Sequence, residues 1–146
     1  MKKLFTSVLW LLAVTGYTQP NPPIFSVRLS VLAVPFTPLL TVECRAVGNL
    51  TVQGETNFGR IHGVNLKYYL HAPLERGYVF VGNAFVRSES LREDGRSALL
   101  PYAGWGYAHV MAHNWAVDGR LGVGPILNAD HTGIYPVLKI GVGKRF

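Results

Sequence analysis

The feature that most constrains this chain is alternation. From residue 25 onward the chain divides into segments of about ten residues, the length of a membrane-crossing strand, in which apolar and polar residues alternate, most clearly in the third and fourth segments and least in the first and fifth, and Gly, Pro, Asn and Asp fall between the segments. In one segment Leu50, Val52, Gly54, Thr56 and Phe58 oppose Thr51, Gln53, Glu55 and Asn57; in the next, Val64, Leu66, Tyr68 and Leu70 oppose Asn65, Lys67, Tyr69 and His71. Successive side chains of a strand point to opposite faces, so each segment reads as a strand with one apolar and one polar face. No segment sustains a helical period.

The spacing predicts eight strands, over 25–34, 39–47, 50–58, 63–71, 78–88, 99–110, 115–126 and 134–146. Turn residues separate them, the tightest being Gly48-Asn49 and the longest connection running from Ser88 to Ala98. The expected fold is therefore all-β, an eight-stranded antiparallel up-and-down barrel. Such a pattern belongs to a small transmembrane barrel with its apolar face outward, and equally to a soluble barrel with that face inward.

Composition and the first residues favour the membrane form. Charged residues are 15% of the chain, against roughly 25% in an ordinary soluble domain. Lys2 and Lys3 precede an apolar run from Leu4 to Val14 and then Thr15, Gly16, Tyr17, Thr18 and Gln19, the three-part layout of a secretory signal that is too short to span a bilayer as a helix. We expect a cleaved signal peptide at 1–18, a short Pro-rich leader at 19–24 and the barrel at 25–146. Removing Lys2 and Lys3 from the 14 basic residues leaves 12 against 8 acidic ones, a scattered surplus that excludes a nucleic-acid face. Cys44 is the only cysteine and forms no internal disulfide.

With the apolar faces outward, the charged residues at alternate positions line the interior. The expected interior set is Arg28, Glu43, Arg45, Glu55, Lys67, Arg87, Asp118, Arg120, Lys139 and Arg145. Its two signs would pair within a barrel that eight strands leave just wide enough for side chains to fill. A water-filled lumen passing small solutes is the alternative, and a soluble secreted ligand-binding barrel is the alternative at the level of fold. With the N-terminus periplasmic, Gly48-Asn49 falls on the periplasmic side and the Ser88 to Ala98 connection outside, with the charged loop from Glu89 to Arg96 available to lipid headgroups or a partner. Tyr68, Tyr78, Tyr102, Trp115, Tyr135 and Phe146 lie near strand ends, where aromatic belts form.

The terminal GVGKRF, the N-terminal signal and the run HGVNLKYYLHAPLERGYVFVGNAFVR resemble those of small outer-membrane β-barrel proteins of Gram-negative bacteria. The resemblance covers most of 25–146. It implies location in the cell outer membrane, contact with outer-membrane lipid, and a last strand whose Ile140, Val142 and Phe146 are read by the barrel-insertion machinery. It implies a monomer with a structural or interaction role.

Motifs for chemistry are absent or incomplete. Gly104/Gly106, Gly122/Gly124 and Gly141/Gly143 never complete G-x-G-x-x-G, and Lys144 lacks the flanks of a phosphate loop; these glycines fit strands, where they make room for aromatics or curvature. His109 and His113 have zinc-protease spacing, but Val110 stands in the place of the general base and the segment is a strand. A lipid-modifying enzyme would need a Ser, a His and a carboxylate together at one rim, and no His-x-Ser occurs. We assign no catalytic residue, no metal and no cofactor.

Overall fold

The computed structural model describes residues 24–33, 36–87, 97–128 and 131–146. The expected signal peptide, most of the leader and the charged loop from Glu89 to Arg96 lie outside them. The described chain is all-β: β1 (Phe25–Ala33), β2 (Phe36–Val47), β3 (Leu50–Thr56), β4 (Ile61–Tyr69), β5 (Arg76–Arg87), β6 (Ser97–Val110), β7 (Trp115–Asn128) and β8 (His131–Arg145), with a single 3-10 turn at Ala112–Asn114. Each strand pairs antiparallel with the next, and β8 returns to β1 to close the barrel. Closure removes the open sheet edge that eight hairpin-linked strands would otherwise leave.

The hairpins carry their own reasons. Gly48 opens the β2–β3 turn at φ 54°, a left-handed value that glycine adopts without strain. β3 stops at Thr56, two residues before the expected end, because the Asn57 side chain accepts hydrogen bonds from the backbone N–H groups of Gly59, Arg60 and Ile61 and winds the chain into a turn. The ladder of β6 with β7 lapses between Leu99 and Ala103, across from Pro125, because Pro101 and Pro125 have no N–H to donate.

Alternation is inverted relative to a soluble domain. The interior holds Ser26, Arg28, Ser30, Thr41, Glu43, Thr51, Gln53, Asn65 and Lys67, each at most 1% exposed, while Leu29, Val64, Val81, Trp105, Val123 and Ile140 each expose more than half of their surface. Apolar residues also enter the interior: Phe80 lies in mid-barrel beside Arg120, and others gather toward the two ends. At the end that carries the β4–β5 turn, Leu74 folds inward and is fully buried beside Tyr69 and Tyr78. Toward the opposite end Leu32, Leu39, Ile61, Leu100 and Val137 line the bore.

The phase of β5 corrects one expectation. Tyr78, Phe80 and Ala84 point inward, so Val79, Val81, Phe85 and Arg87 point outward. Arg87 is exposed and is no part of the interior set. Tyr78 and Tyr102, expected in aromatic belts, are also inside, at 1% and 6% exposure.

Candidate functional site

The interior polar network is built in two tiers, each centred on carboxylates that neighbouring strands aim at the axis. In the tier nearer the start of β1 and the end of β8, Glu43 on β2 accepts from Thr51 Oγ1 at 2.6 Å and Tyr69 Oη at 2.9 Å, and pairs with Arg28 and Lys67, each at 3.0 Å. Asp118, from the other side of the barrel, accepts from Tyr78 Oη at 2.6 Å and lies 3.4 Å from Arg28 and 3.8 Å from Lys67. Lys67 also sits 4.3 Å from the centre of the Tyr78 ring, whose face attracts a cation. Two cations and two carboxylates thus share one desolvated tier, where mutual attraction offsets the cost of leaving water.

Among the described residues, Glu55 is the one carboxylate of the second tier. Arg120 donates through Nη2 to both carboxylate oxygens, at 2.9 and 2.8 Å, and Lys139 and Tyr102 donate to it as well, Tyr102 at 3.1 Å. Lys139 also donates to Thr41 Oγ1 at 3.0 Å, and Gln53 links Glu55 to Arg120. Above this tier lies a cavity of about 100 Å³, with Glu55, Tyr102 and Arg120 at its floor and apolar side chains, among them Leu32, Leu39 and Val137, around it.

Of the ten residues expected inside, Arg28, Glu43, Glu55, Lys67, Asp118, Arg120, Lys139 and Arg145 are buried. Arg145 stands apart from both tiers, 3.6 Å from Glu75 and in reach of the Leu74 carbonyl, at the end the β4–β5 turn closes. Arg45 stays at the rim, where its Nε donates to the Gly48 carbonyl at 3.0 Å, because β2 slips register between Arg45 and Val47 as it enters the turn. Ile140 and Val142 are on the outer wall. Phe146 stacks on Phe25 at 4.8 Å and exchanges backbone hydrogen bonds with it.

Sequence reasoning missed the inward aromatics. The signal was present as glycine: across the β5–β6 ladder Tyr78 faces Gly106, Phe80 faces Gly104 and Tyr102 faces Gly82. A methyl group on Gly106 would stand 2.4 Å from the Tyr78 ring, and one on Gly122 2.9 Å from Phe80, so these glycines are the space the rings occupy. No cluster of three or more His, Cys, Asp or Glu side chains able to hold a metal occurs among the described residues, and Cys44 is exposed on the wall. The class so defined is a closed eight-stranded antiparallel barrel with an ionic interior and an apolar exterior. Comparison with protein-family models, curated proteins and solved structures gave no match to the chain.

Proposed function

We propose that the protein is a monomeric outer-membrane β-barrel with a structural or interaction role, delivered by an N-terminal signal and assembled by the barrel-insertion machinery. The observation that carries the reading is the inversion of polarity. Large apolar side chains are exposed on all eight strands, including Leu29, Val42, Val52, Leu66, Val79, Trp105, Leu121 and Ile140. In water such a wall far exceeds the apolar patch a monomer tolerates, whereas in a bilayer it is the expected lipid-facing band. The interior supports a plugged barrel over a solute channel: two ionic tiers cross it, and Leu74 with Tyr69 and Tyr78 occupies one end. The physiological contacts then belong to the connections at the ends rather than to a lumen or a catalytic centre.

Fractionation tests this directly. The mature chain is expected only in detergent extracts of the outer membrane, running faster on gels unheated than boiled. Recovery from the soluble periplasm or medium, with mobility indifferent to heating, would refute the assignment.

A further inference from the structure

One end of the barrel gathers the start of β1, the end of β8 and the β2–β3, β4–β5 and β6–β7 connections. Its side-chain charge is lopsided. Beyond the first ionic tier, Arg45, Arg76, Lys144 and Arg145 stand against Glu75 among the described residues, four basic to one acidic. Glu75 is already paired with Arg145, and a terminal carboxylate on Phe146 would still leave two positive charges over. The tier beneath supplies no counterion, because its Arg28 and Lys67 are matched by Glu43 and Asp118. His71, His109 and His113, exposed at the same end, bring ring donors and no negative charge.

This charge also faces sideways, onto the outer wall. Gly143 and Arg145 point inward, so Lys144 between them projects outward, where it is partly exposed. It lies directly across the β7–β8 ladder from Trp115, and its Nζ is 5.6 Å from the centre of the Phe146 ring. Tyr68, Tyr107 and Trp115 are about half exposed on the same wall, each near the end of its strand. Tyrosine and tryptophan favour the level where hydrocarbon gives way to head groups, and a lysine there carries its ammonium out along an apolar stem. A soluble partner docked on the turns does not reach a side chain on this wall; a lipid head group does.

We propose that this rim binds anionic phospholipid, with the phosphate of one lipid seated at Lys144 and Trp115. Lys144 supplies the charge and Trp115 an indole N–H, which can only donate. Arg45 and Arg76, at the level of the turns, extend the positive potential to neighbouring head groups. A zwitterionic head group brings its own ammonium and gains little, whereas each Lys or Arg near an anionic lipid surface is worth about fivefold in association. The inference rests on the membrane reading and names the lipid class which that reading leaves open.

Quenching of tryptophan fluorescence by brominated lipid tests it. The full mature chain, whose indoles are Trp105 and Trp115, is inserted into phosphatidylcholine nanodiscs, with heat-modifiable mobility scored first. Failure to insert sinks the membrane reading and this inference with it. In the inserted barrel, a minor fraction of brominated phosphatidylglycerol is expected to quench as though enriched about fivefold over the same fraction of brominated phosphatidylcholine. Trp105→Phe should keep that enrichment, which assigns it to Trp115. It should collapse in ~1 M salt, where the screening length is about 3 Å, and Lys144→Gln should remove most of it without changing heat-modifiable mobility. Equal quenching by the two lipids would overturn the inference and leave the membrane reading standing; if an oligoglutamate peptide then bound the barrel, the rim would belong to an acidic soluble partner. An enrichment indifferent to salt, or one that survives Lys144→Gln, would overturn it as well. The salt series on the unsubstituted chain decides the matter even where a variant does not insert.

Discussion

Glu55 is the residue on which most depends. Among the described residues it is the only carboxylate within ion-pair distance of Arg120 and Lys139, and it accepts from Tyr102 and Gln53 as well. Glu55→Gln would leave two buried cations with no anion, a change that costs about 3–5 kcal/mol when a buried pair is broken from one side. Lys139→Met should cost under about 1.5 kcal/mol, since the volume is nearly kept and the surplus charge leaves with it. Urea midpoints for refolding into lipid vesicles would check the order; equal losses for the two variants would show that the upper tier carries no surplus. Glu75→Gln, at the half-exposed pair with Arg145, should stay within about 1 kcal/mol. Individual residues were legible where alternation was strict. Arg28, Glu43, Glu55, Lys67, Asp118, Arg120 and Lys139 each sit on the polar face of a strand whose opposite face is apolar. Arg87 departs from the expected interior set because Tyr78, Phe80 and Ala84, and not the arginine, set the phase of β5. An arginine at a strand end reaches water from either face, so it says little about phase.

At the scale of elements, strand number and order follow from the spacing of turn residues, and boundaries do not. β4 starts at Ile61 rather than 63 because the Asn57 turn delivers Ile61 directly into the ladder, opposite Val86. β8 starts at His131 rather than 134 because its pairing with β7 continues through Pro136 and Pro125, out to Asn128; periodicity cannot see that extension. The closing strand carries two separable properties. Phe146 stacks on Phe25 and its backbone bonds tie β8 to the start of β1, so it has a contact in the finished barrel besides the assembly role proposed for it. Phe146→Ala should lower vesicle stability by about 0.5–1.5 kcal/mol, the worth of an aromatic pair. If Phe146 is also read during insertion, the yield of heat-modifiable barrel in cells should fall well beyond that loss. Measuring both quantities on one variant separates the roles; a cellular yield that only tracks the refolding stability would remove the insertion role.

For the whole molecule, the question is which side of the wall meets water, and alternation alone is symmetric to it. A barrel with its faces exchanged would show the same period of two. What breaks the symmetry is volume and charge: an eight-stranded bore holds one layer of side chains per tier, and here it is occupied by ionic tiers with apolar closures, leaving the large aliphatic residues outside. Midway along β7, Leu121 lies between Trp105 and Leu138 on the wall, 47% exposed. Were that surface in water, Leu121→Arg would sit within about 0.5 kcal/mol of the parent, as surface changes do. In lipid the same substitution near the midplane should cost about 2–4 kcal/mol. Paired urea titrations in vesicles therefore read the wall's solvent from one side chain. A neutral result would place Leu121 outside the bilayer and return the barrel to the soluble alternative, with its ionic interior then unexplained by lipid. A loss of the expected size, fading for the same change at Leu127 near the end of β7, would map the band by depth, because the penalty falls toward the interfaces. That gradient cannot arise from a soluble barrel, whose outer wall has no depth.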